Sequence, residues 1–249
     1  MPIPKIIHYC WFGRNKKSEL IEKCMESWSR ILPDYEIIEW NEDIFDVNIC
    51  RYTKEAYERK KWAFVSDYAR LYALYNYGGL YFDTDVEVLK PLDAFLHHDF
   101  FSGFESKDSP ITPAVIGAAK GNDLIKQLLD NYADRMFVKA NGELDMTPNT
   151  QTITRFLLDV GIIKNGKKQL LDDGKVAIYP QIMFSPNNFS LIWGDPSPKS
   201  YTIHHFDGSW VDKKKAGPKT LTEKTRHYIV GLLRNTVGTE TLNKIKKRN

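Results

Sequence analysis

Two aspartates one residue apart, Asp83 and Asp85, are the residues of this chain best suited to carry chemistry. They follow a short apolar and aromatic run at 80–82, which predicts a buried strand. If the strand continued to Asp85, both carboxylates would lie on one face and Thr84 on the other, because strand side chains alternate. Neighbouring carboxylates repel unless a cation or proton intervenes, and Mg²⁺ and Mn²⁺ favour oxygen ligands. The pair therefore predicts a divalent metal site that also holds a diphosphate.

A helix is predicted directly before this strand. Apolar residues recur at helical spacing from position 68 to 75. The Gly78-Gly79 pair ends the helix, because glycine adopts the positive φ that a helix C-terminus needs. Asp67 and Arg70 lie one turn apart at the start of the segment, where they could face the metal site. The alternative is a surface ion pair, and such pairs contribute little to stability.

Strands and helices alternate through the first 210 residues. Strands are predicted over 5–10, 35–40, 80–83, 86–89, 100–104, 115–118, 176–179 and 201–205, and helices over 19–29, within 53–75, over 124–134 and over 149–158. This alternation favours an α/β fold with a mostly parallel sheet, whose ligands bind beyond the carboxyl ends of the strands. Three candidate segments lie at the carboxyl ends of predicted strands, at Trp11, Asp83–Asp85 and His204–His205. A surface loop is predicted over 187–200.

Composition narrows the class of protein. A chain of 249 residues with 42% hydrophobic content can bury a large core. Apolar runs are all far shorter than the roughly 20 residues of a membrane span, and the N-terminus lacks the features of a secretory signal. The three cysteines, Cys10, Cys24 and Cys50, show no C-x-x-C spacing. Reduced, buried thiols in a cytoplasmic protein are the expectation.

The C-terminal segment differs in charge from the rest. Residues 211–249 hold eleven Lys or Arg and three Asp or Glu, about +8; against +3 for the chain, this leaves −5 on residues 1–210. Apolar residues at helical spacing suggest a basic amphipathic helix over 213–249, which could lie on an anionic membrane surface. A terminal helix packed on the body is the alternative. Nucleic acid is not expected as a partner, because no recognised binding motif accompanies the basic residues.

Four segments together resemble glycosyltransferases of the GT-A fold that carry a D-x-D motif. They are PKIIHYCWFG (4–13), YEIIEWN (35–41), SDYARLYALYNYGGLYFDTDV (66–86) and HHFDGSW (204–210). The pattern is most similar to family 32, which includes bacterial capsular-polysaccharide enzymes and the yeast initiating mannosyltransferase, and is distantly similar to the glucosylating domains of clostridial toxins. The resemblance, which covers most of residues 1–210, implies a Rossmann-like nucleotide-diphospho-sugar transferase domain with a mostly parallel central sheet. We assign this domain to 1–212 and the helical tail inferred above to 213–249. At 146–151 the chain keeps the proline of the family's Gly-Pro motif but not the glycine.

The resemblance also implies a metal shell. Asp83 and Asp85 would bind Mn²⁺ or Mg²⁺, and His204 or His205 would complete the site. Adjacent strand residues face opposite ways, so only one histidine can be a ligand, and the family pattern favours His204. A histidine ligand favours manganese over magnesium.

A UDP-sugar donor is implied by the same resemblance. Trp11 would stack on uracil, unless it is a core tryptophan, and Asn41 would bond the base or ribose, unless it serves a turn. Asp67 would accept bonds from sugar hydroxyls, and Arg70 would reach the sugar or diphosphate. The remaining predicted contacts are Ser66, Tyr81, Thr84, Ser209 and Trp210, of which Tyr81 could instead be a core residue.

The implied reaction is a hexose transfer that retains the anomeric configuration, with Asp67, Arg70 and Asp85 as catalytic residues. Front-face attack is expected, with Asp67 as nucleophile the lesser alternative. Galactose from UDP-galactose is the first expectation; UDP-glucose, UDP-N-acetylglucosamine and GDP-mannose are alternatives. The basic tail favours a lipid or oligosaccharide acceptor, such as a sphingolipid or capsular-polysaccharide precursor, at the inner face of the membrane. A nucleotide-sugar hydrolase would use the same site with water as acceptor.

Overall fold

The fold is built around one seven-stranded sheet. The computed structural model of the protein describes residues 2–105, 111–186 and 197–207. Ser209, Trp210, the tail over 213–249 and most of the loop predicted over 187–200 lie outside these residues. The strands are β1 Ile6–Cys10, β2 Glu36–Trp40, β3 Gly79–Phe82, β4 Val86–Val88, β5 Phe100–Phe104, β6 Ile111–Ala118, β7 Gln169–Leu171, β8 Val176–Tyr179 and β9 Thr202–His204. The α-helices are α1 Glu19–Ile31, α2 Arg51–Glu58, α3 Trp62–Tyr77, α4 Asp123–Asp130, α5 Asn149–Asp159 and α6 Gln181–Phe184.

The sheet order is β2-β1-β3-β6-β5-β8-β7. β1 is parallel to β2 and β3, and β5 is parallel to β8, whereas β6 and β7 run against their neighbours. Five of these seven strands therefore point the same way, which confirms the predicted mostly parallel α/β sheet. β4 and β9 form a separate antiparallel ribbon that pairs Val86 with His204.

Helices cover both faces of the sheet. One core cluster joins the sheet to α2, α3, α4 and α5, and the other joins it to α1, α6 and β4. In β3, Leu80 and Phe82 belong to the second cluster and Tyr81 to the first, because successive strand side chains face opposite sides. No helix in the described part of the chain has the length and apolarity to cross a membrane.

Two glycines make the sharp connection from α3 to β3. Gly78 has φ 69° and Gly79 has φ 115°, values that L side chains rarely adopt. A Cβ at Gly79 would lie 2.6 Å from the Ile6 carbonyl oxygen. The predicted role of this pair in ending the helix is therefore correct, and the close approach brings β3 into register beside β1.

The predicted elements differ from the observed ones mainly at their ends. The segment predicted as helical within 53–75 is two helices, α2 and α3, and the helix predicted to reach residue 134 ends at Asp130. β6 begins at Ile111 rather than Val115. The predictions did not include β7 and α6, because three or four residues carry too little periodicity to reveal an element.

Candidate active site

The two aspartates lie in a turn and not on a strand, which corrects the predicted arrangement. β3 ends at Phe82, and the Val86 N–H donates to the Asp83 carbonyl at 3.0 Å. The Asp83 N–H still donates to Ala114 of β6, at 2.9 Å. Strand alternation over 83–85 therefore does not bring the carboxylates together. The turn does so, and the β4–β9 ribbon adds a third group.

That third group is His204, which pairs with Val86 across the ribbon. Asp83, Asp85 and His204 each offer one ligand atom, and these atoms lie within 4.8 Å of one another. Ligands of an Mn²⁺ or Mg²⁺ ion lie about 2.0–2.2 Å from it, so opposite ligands are about 4.4 Å apart. Two carboxylates and an imidazole at this spacing fit a divalent metal ion.

The two adjacent histidines have different partners. His204 Nε2 lies 3.3 Å from Asp85 Oδ1, and its buried Nδ1 has no hydrogen-bond partner within the described residues. His205 Nε2 lies 3.0 Å from Glu87 Oε2 instead. The structure thus brings His204 to the aspartate pair, the histidine that the sequence favours, and directs His205 to Glu87.

Asp85 is held from two sides. Its Oδ2 accepts the Asp207 N–H at 2.8 Å, and its backbone carbonyl accepts the His205 N–H at 3.0 Å. Burial raises the pKa of Asp85, but the bonds from His204 and Asp207 outweigh it, and the pKa is lowered overall. Burial lowers the pKa of His204, but Asp85, with the charges of Asp83 and Glu105, raises it overall. The site therefore favours an ionised Asp85 and attracts positive charge.

Helix α1 fixes the chain just after the aspartates. The buried Trp28 indole N–H donates to the Val86 carbonyl at 2.7 Å, and Ser27 Oγ accepts the Val88 N–H at 2.8 Å. Both bonds satisfy the edge of β4 that does not pair with β9. Since β4 follows Asp85 directly, α1 sets where that carboxylate lies.

Asp67 and Arg70 form a buried pair, so the surface ion pair considered from the sequence is wrong. Their residues are 8% and 5% exposed. Arg70 Nη2 lies 3.1 Å from Asp67 Oδ1, and Arg70 Nη1 lies 3.2 Å from Asp83 Oδ1. The guanidinium also stacks 4.5 Å from the centre of the Tyr81 ring. One arginine thus links the start of α3 to the aspartate turn.

Tyr81 is both a core residue and a site residue. It is 2% exposed, and its hydroxyl donates to Asp83 Oδ1 at 3.1 Å. Asp83 Oδ1 therefore accepts bonds from Tyr81 and Arg70 together. Ser66 lies one turn before Arg70, but its hydroxyl donates to the Trp62 carbonyl of its own helix at 3.1 Å. Thr84 is half-buried between the two aspartates.

Burial dominates the electrostatics of Asp67. It raises the pKa of this carboxyl to about 6, although the charge of Arg70 acts in the opposite direction. Despite its own burial, Arg70 has a raised pKa because Tyr81, Asp83 and Asp67 surround it, so it stays charged. Arg70 is therefore a fixed positive charge beside Asp67 and Asp83.

A second arginine, which the sequence did not single out, supports Asp67 from behind. Arg135 Nε bonds Asp145 Oδ2 at 2.7 Å, and its guanidinium lies 4.7 and 5.0 Å from the ring centres of Tyr52 and Tyr132. Its charge lowers the pKa of Asp67. Arg135 and Asp145 lie in the segment between α4 and α5, where no periodicity or motif marks them.

Asn149 is another residue that the sequence analysis missed as a site residue. It begins α5 and is 2% exposed, and its Nδ2 donates to the Asp67 carbonyl at 3.2 Å. Its Oδ1 is buried without a hydrogen-bond partner among the described residues. A buried amide oxygen without a partner carries a substantial cost, so this atom is a candidate contact for a bound hydroxyl.

Glu105 completes the acidic side of the site. It directly follows β5, and burial and the charge of Asp83 raise its pKa, while His204 lowers it. The rule that identified Asp83, an acid at the carboxyl end of a buried strand, applies equally to Glu105 and would have found it.

The proposed base-binding residues lie beyond β1 and β2. Trp11 is half-buried, and Lys17 Nζ lies 5.4 Å from the centre of its ring. Asn41 has both ends of its amide engaged: Oδ1 accepts the Asp43 N–H at 2.9 Å and Nδ2 donates to Glu39 at 3.0 Å. Asn41 therefore stabilises a turn, which was the alternative role predicted for it. The ring of Trp11 remains partly exposed.

Glu42, beside Asn41, is a further candidate site residue that the sequence analysis did not suggest. Its Oε1 accepts the Gly13 N–H at 2.6 Å and the Tyr57 hydroxyl at 3.2 Å. Its Oε2 is buried and has no partner within the described part of the chain. This carboxylate holds the loop that carries Trp11.

Comparisons with known proteins find similarities to glycosyltransferases. Residues 18–102 match a family model described as "Glycosyltransferase sugar-binding region containing DXD motif", a range that contains Asp67, Arg70 and both aspartates. The chain is 31% identical over 140 residues to inositol phosphoceramide mannosyltransferase 3 of Schizosaccharomyces pombe, covering 52% of this chain and 37% of the relative. The chain thus spans little more than a third of that relative's length.

Two solved structures are similar at low sequence identity. The PaToxG glycosyltransferase has a TM-score of 0.48 and 20% identity, with 64% of this chain and 70% of that one covered. A glycosyltransferase involved in the glycosylation of the major capsid of PBCV-1 has a TM-score of 0.46 and 12% identity, with 81% and 93% covered.

Proposed function

We propose that this protein is a metal-dependent hexosyltransferase that uses a nucleotide-diphosphate sugar, and the match of residues 18–102 to the sugar-binding region of DXD-containing glycosyltransferases supports this proposal. The observation that carries the proposal is the convergence of Asp83, Asp85 and His204 within 4.8 Å, with Arg70 bonded to Asp83 at 3.2 Å. The site lies beyond the carboxyl ends of β1 and β3, where ligands bind in parallel sheets.

Asp83, Asp85 and His204 would hold the ion. A bound divalent cation supplies Lewis acidity that stabilises the charge of a departing diphosphate. Arg70 keeps a fixed positive charge at the same place, and its bonds to Asp67 and Asp83 orient it in advance, so little reorganisation is needed as negative charge develops. Asp67 and Asn149, which are bonded to each other at 3.2 Å, offer acceptor oxygens suited to sugar hydroxyls.

We propose that transfer retains the anomeric configuration through front-face attack. Asp67 Oδ1 is engaged by Arg70, which lowers the nucleophilicity that a double displacement would require. In the front-face reaction the acceptor oxygen bonds the anomeric carbon as the bond to the diphosphate breaks. The acceptor proton passes to a leaving phosphate oxygen. Asp67 then acts by orienting the sugar.

The acceptor is proposed to be a membrane lipid or lipid-linked saccharide. The yeast relative is named inositol phosphoceramide mannosyltransferase 3, which supports a sphingolipid-type acceptor. The basic composition of residues 213–249 supports an association with the inner face of an anionic membrane.

Two donors deserve the first tests. UDP-galactose is the sequence-based choice, because Trp11 suits a uracil ring. GDP-mannose is favoured by the activity in the relative's name. The half-open Trp11 ring can stack on either base, since every base offers a flat face.

A donor screen tests the proposal. The full chain is incubated with UDP-galactose, GDP-mannose, UDP-glucose or UDP-N-acetylglucosamine, with Mn²⁺ and a ceramide-based acceptor in detergent, and products are measured by mass spectrometry. We expect transfer from one donor that stops with EDTA and returns with Mn²⁺. Sugar release to water at the same rate with and without acceptor would indicate a hydrolase. No turnover of any donor, and no Mn²⁺-dependent nucleotide binding, would refute the proposal.

A further inference from the structure

A group of exposed apolar side chains lies at the β7 edge of the sheet. Ten large hydrophobic side chains are exposed among the described residues, and four of them fall within the thirteen residues 158–170. They are Leu158, Val160, Ile163 and Leu170, exposed by 37%, 44%, 64% and 49%. Single exposed apolar residues are ordinary, but a concentration of them marks an interaction surface. Residues 158–170 are called the rim patch below.

The rim patch is basic as well as apolar. It contains three lysines and one acid, Asp159, for a net charge of about +2, and two further acids, Asp172 and Asp173, follow it. Lys164, Lys167 and Lys168 are all exposed. An apolar surface bordered by lysines is complementary to anionic lipid headgroups above acyl chains, and it is a poor match for a neutral or basic protein partner.

The exposure of Ile163 is built into the structure. The Gln169 side chain bonds both backbone groups of Ile163: Oε1 accepts the N–H at 2.7 Å and Nε2 donates to the carbonyl at 2.7 Å. Nε2 also donates to Asn165 Oδ1 at 3.1 Å. These bonds tie the loop to the first residue of β7 and hold its apolar side chain outward, in advance of any binding.

The rim patch opens on the same edge of the sheet as the active site. Gln169 pairs with Ile178 near the carboxyl end of β8. β8 is parallel to β5, and β5 points the same way as β3, since β6 lies antiparallel between them. The loop before β7 and the aspartates after β3 therefore lie at one edge, four strands or roughly 19 Å apart.

A cavity lies at the Leu170 end of the rim patch. Lys168 and Leu170 line an open cavity of about 500 Å³ with Phe95, Tyr179 and Lys175. Lys168 Nζ lies 5.2 Å from the centre of the Tyr179 ring, so its charge is held at the cavity wall. Asp173 also lines this space, and Leu170 is the exposed apolar residue of the rim patch that borders it.

We propose that the rim patch docks the protein on an anionic membrane surface, with Ile163 and its apolar neighbours in the interface and the three lysines among lipid phosphates. Docking in this orientation turns the edge that carries Asp83 and Asp85 toward the bilayer. The role of this contact in delivering a lipid acceptor rests on the proposed function, but the docking itself does not.

Vesicle sedimentation of the full chain tests the proposal. Vesicles of phosphatidylcholine with about 30% phosphatidylserine are compared with phosphatidylcholine alone. The rim variant carries Ile163→Ser, Lys164→Gln and Lys167→Gln. We expect its partition coefficient on anionic vesicles to fall by about tenfold or more, since each basic residue near the surface contributes measurably. The matched control carries Ile49→Ser, Lys23→Gln and Lys54→Gln, which remove the same charge and one exposed isoleucine elsewhere, and should bind like wild type.

Three outcomes would overturn the proposal. The rim variant could bind as wild type does, or lose no more than the control. A variant with Lys213, Lys214 and Lys215 changed to Gln could remove all binding while the rim variant removes none. Light scattering could show a wild-type dimer that the rim variant abolishes, which would assign the rim patch to a second copy. If the rim variant loses vesicle binding but the wild-type protein shows no transferase activity, the result would support docking and contradict the proposed function.

Discussion

Two buried histidines show how this fold separates a structural site from a chemical one. His8, in the middle of β1, has both ring nitrogens engaged: Trp40 Nε1 donates to its Nδ1 at 3.1 Å, and its Nε2 lies 2.8 Å from the Gly78 carbonyl. Because Nδ1 accepts, Nε2 must carry the proton, and the ring is neutral. His204 lies beside Asp85 and keeps Nδ1 without a partner among the described residues.

The two environments shift the pKa values of these histidines in opposite directions. Burial lowers the pKa of His8 to about 4, more than the bond to Gly78 raises it. Burial also lowers the pKa of His204, but Asp85, Asp83 and Glu105 reverse the effect. Burial alone therefore does not mark a functional histidine. The difference lies in the partners: a satisfied ring supports the fold, and a ring among acids with an open nitrogen is available to a ligand.

The largest expected effect comes from removing the acid beside His204. Asp85→Asn should lower transfer by about 1000-fold, because a neutral amide holds a divalent ion poorly and the diphosphate loses that stabilisation. Initial rates at saturating donor and Mn²⁺ measure it. Glu87→Gln, on the other side of the same ribbon and paired with His205, is the control and should keep most activity. Near-normal turnover by Asp85→Asn would break the distinction between the two regions.

A smaller effect is expected at the histidines of the ribbon. His204→Ala should weaken Mn²⁺ binding by about 10- to 100-fold, in the range measured when a metal site loses a supporting group. His205→Ala should change it by less than about threefold, since His205 contacts Glu87. Titration with Mn²⁺, followed by electron paramagnetic resonance of the free ion, gives both affinities. A larger loss in the His205 variant would exchange their roles.

The smallest effect concerns the stability that His8 confers. Its pKa is lowered in the folded state, so the unfolded chain takes up a proton first as pH falls below about 6.5, and stability is lost toward pH 4. Between pH 7 and pH 5.5 this amounts to about 1 kcal/mol. His8→Gln keeps a donor and an acceptor without titrating, so its free energy of unfolding should fall less over this range. Urea melts at both pH values measure the difference; equal losses in the two proteins would show that His8 does not titrate between the states.

Much of the fold follows from local patterns. The strands that carry the site, β1, β3 and β5, are short apolar runs, and the glycines after α3 announce the turn between helix and strand. The order of the strands is a different matter. Nothing in the sequence of β6 shows that it inserts between β3 and β5, because that placement depends on contacts between residues far apart in the chain.

The site was predictable where a motif marks it and obscure where only packing does. Asp67, Arg70, Asp83 and Asp85 lie in one motif, and His204 lies at the end of a late strand. The turn that brings the aspartates together was not predictable, since Thr84 is compatible with both strand and turn. Arg135, in the segment between α4 and α5, and Asn149, at the start of α5, are placed beside Asp67 by tertiary contacts, and no spacing in the sequence links them to it.

Calorimetric titration of the full chain with UDP and with GDP, in the presence and absence of Mn²⁺, tests the central claim most directly. The account predicts that at least one nucleotide binds only with Mn²⁺, and that Asp85→Asn abolishes this binding while the protein stays folded. Equal binding with and without the metal, or unchanged metal-dependent binding by the variant, would contradict it.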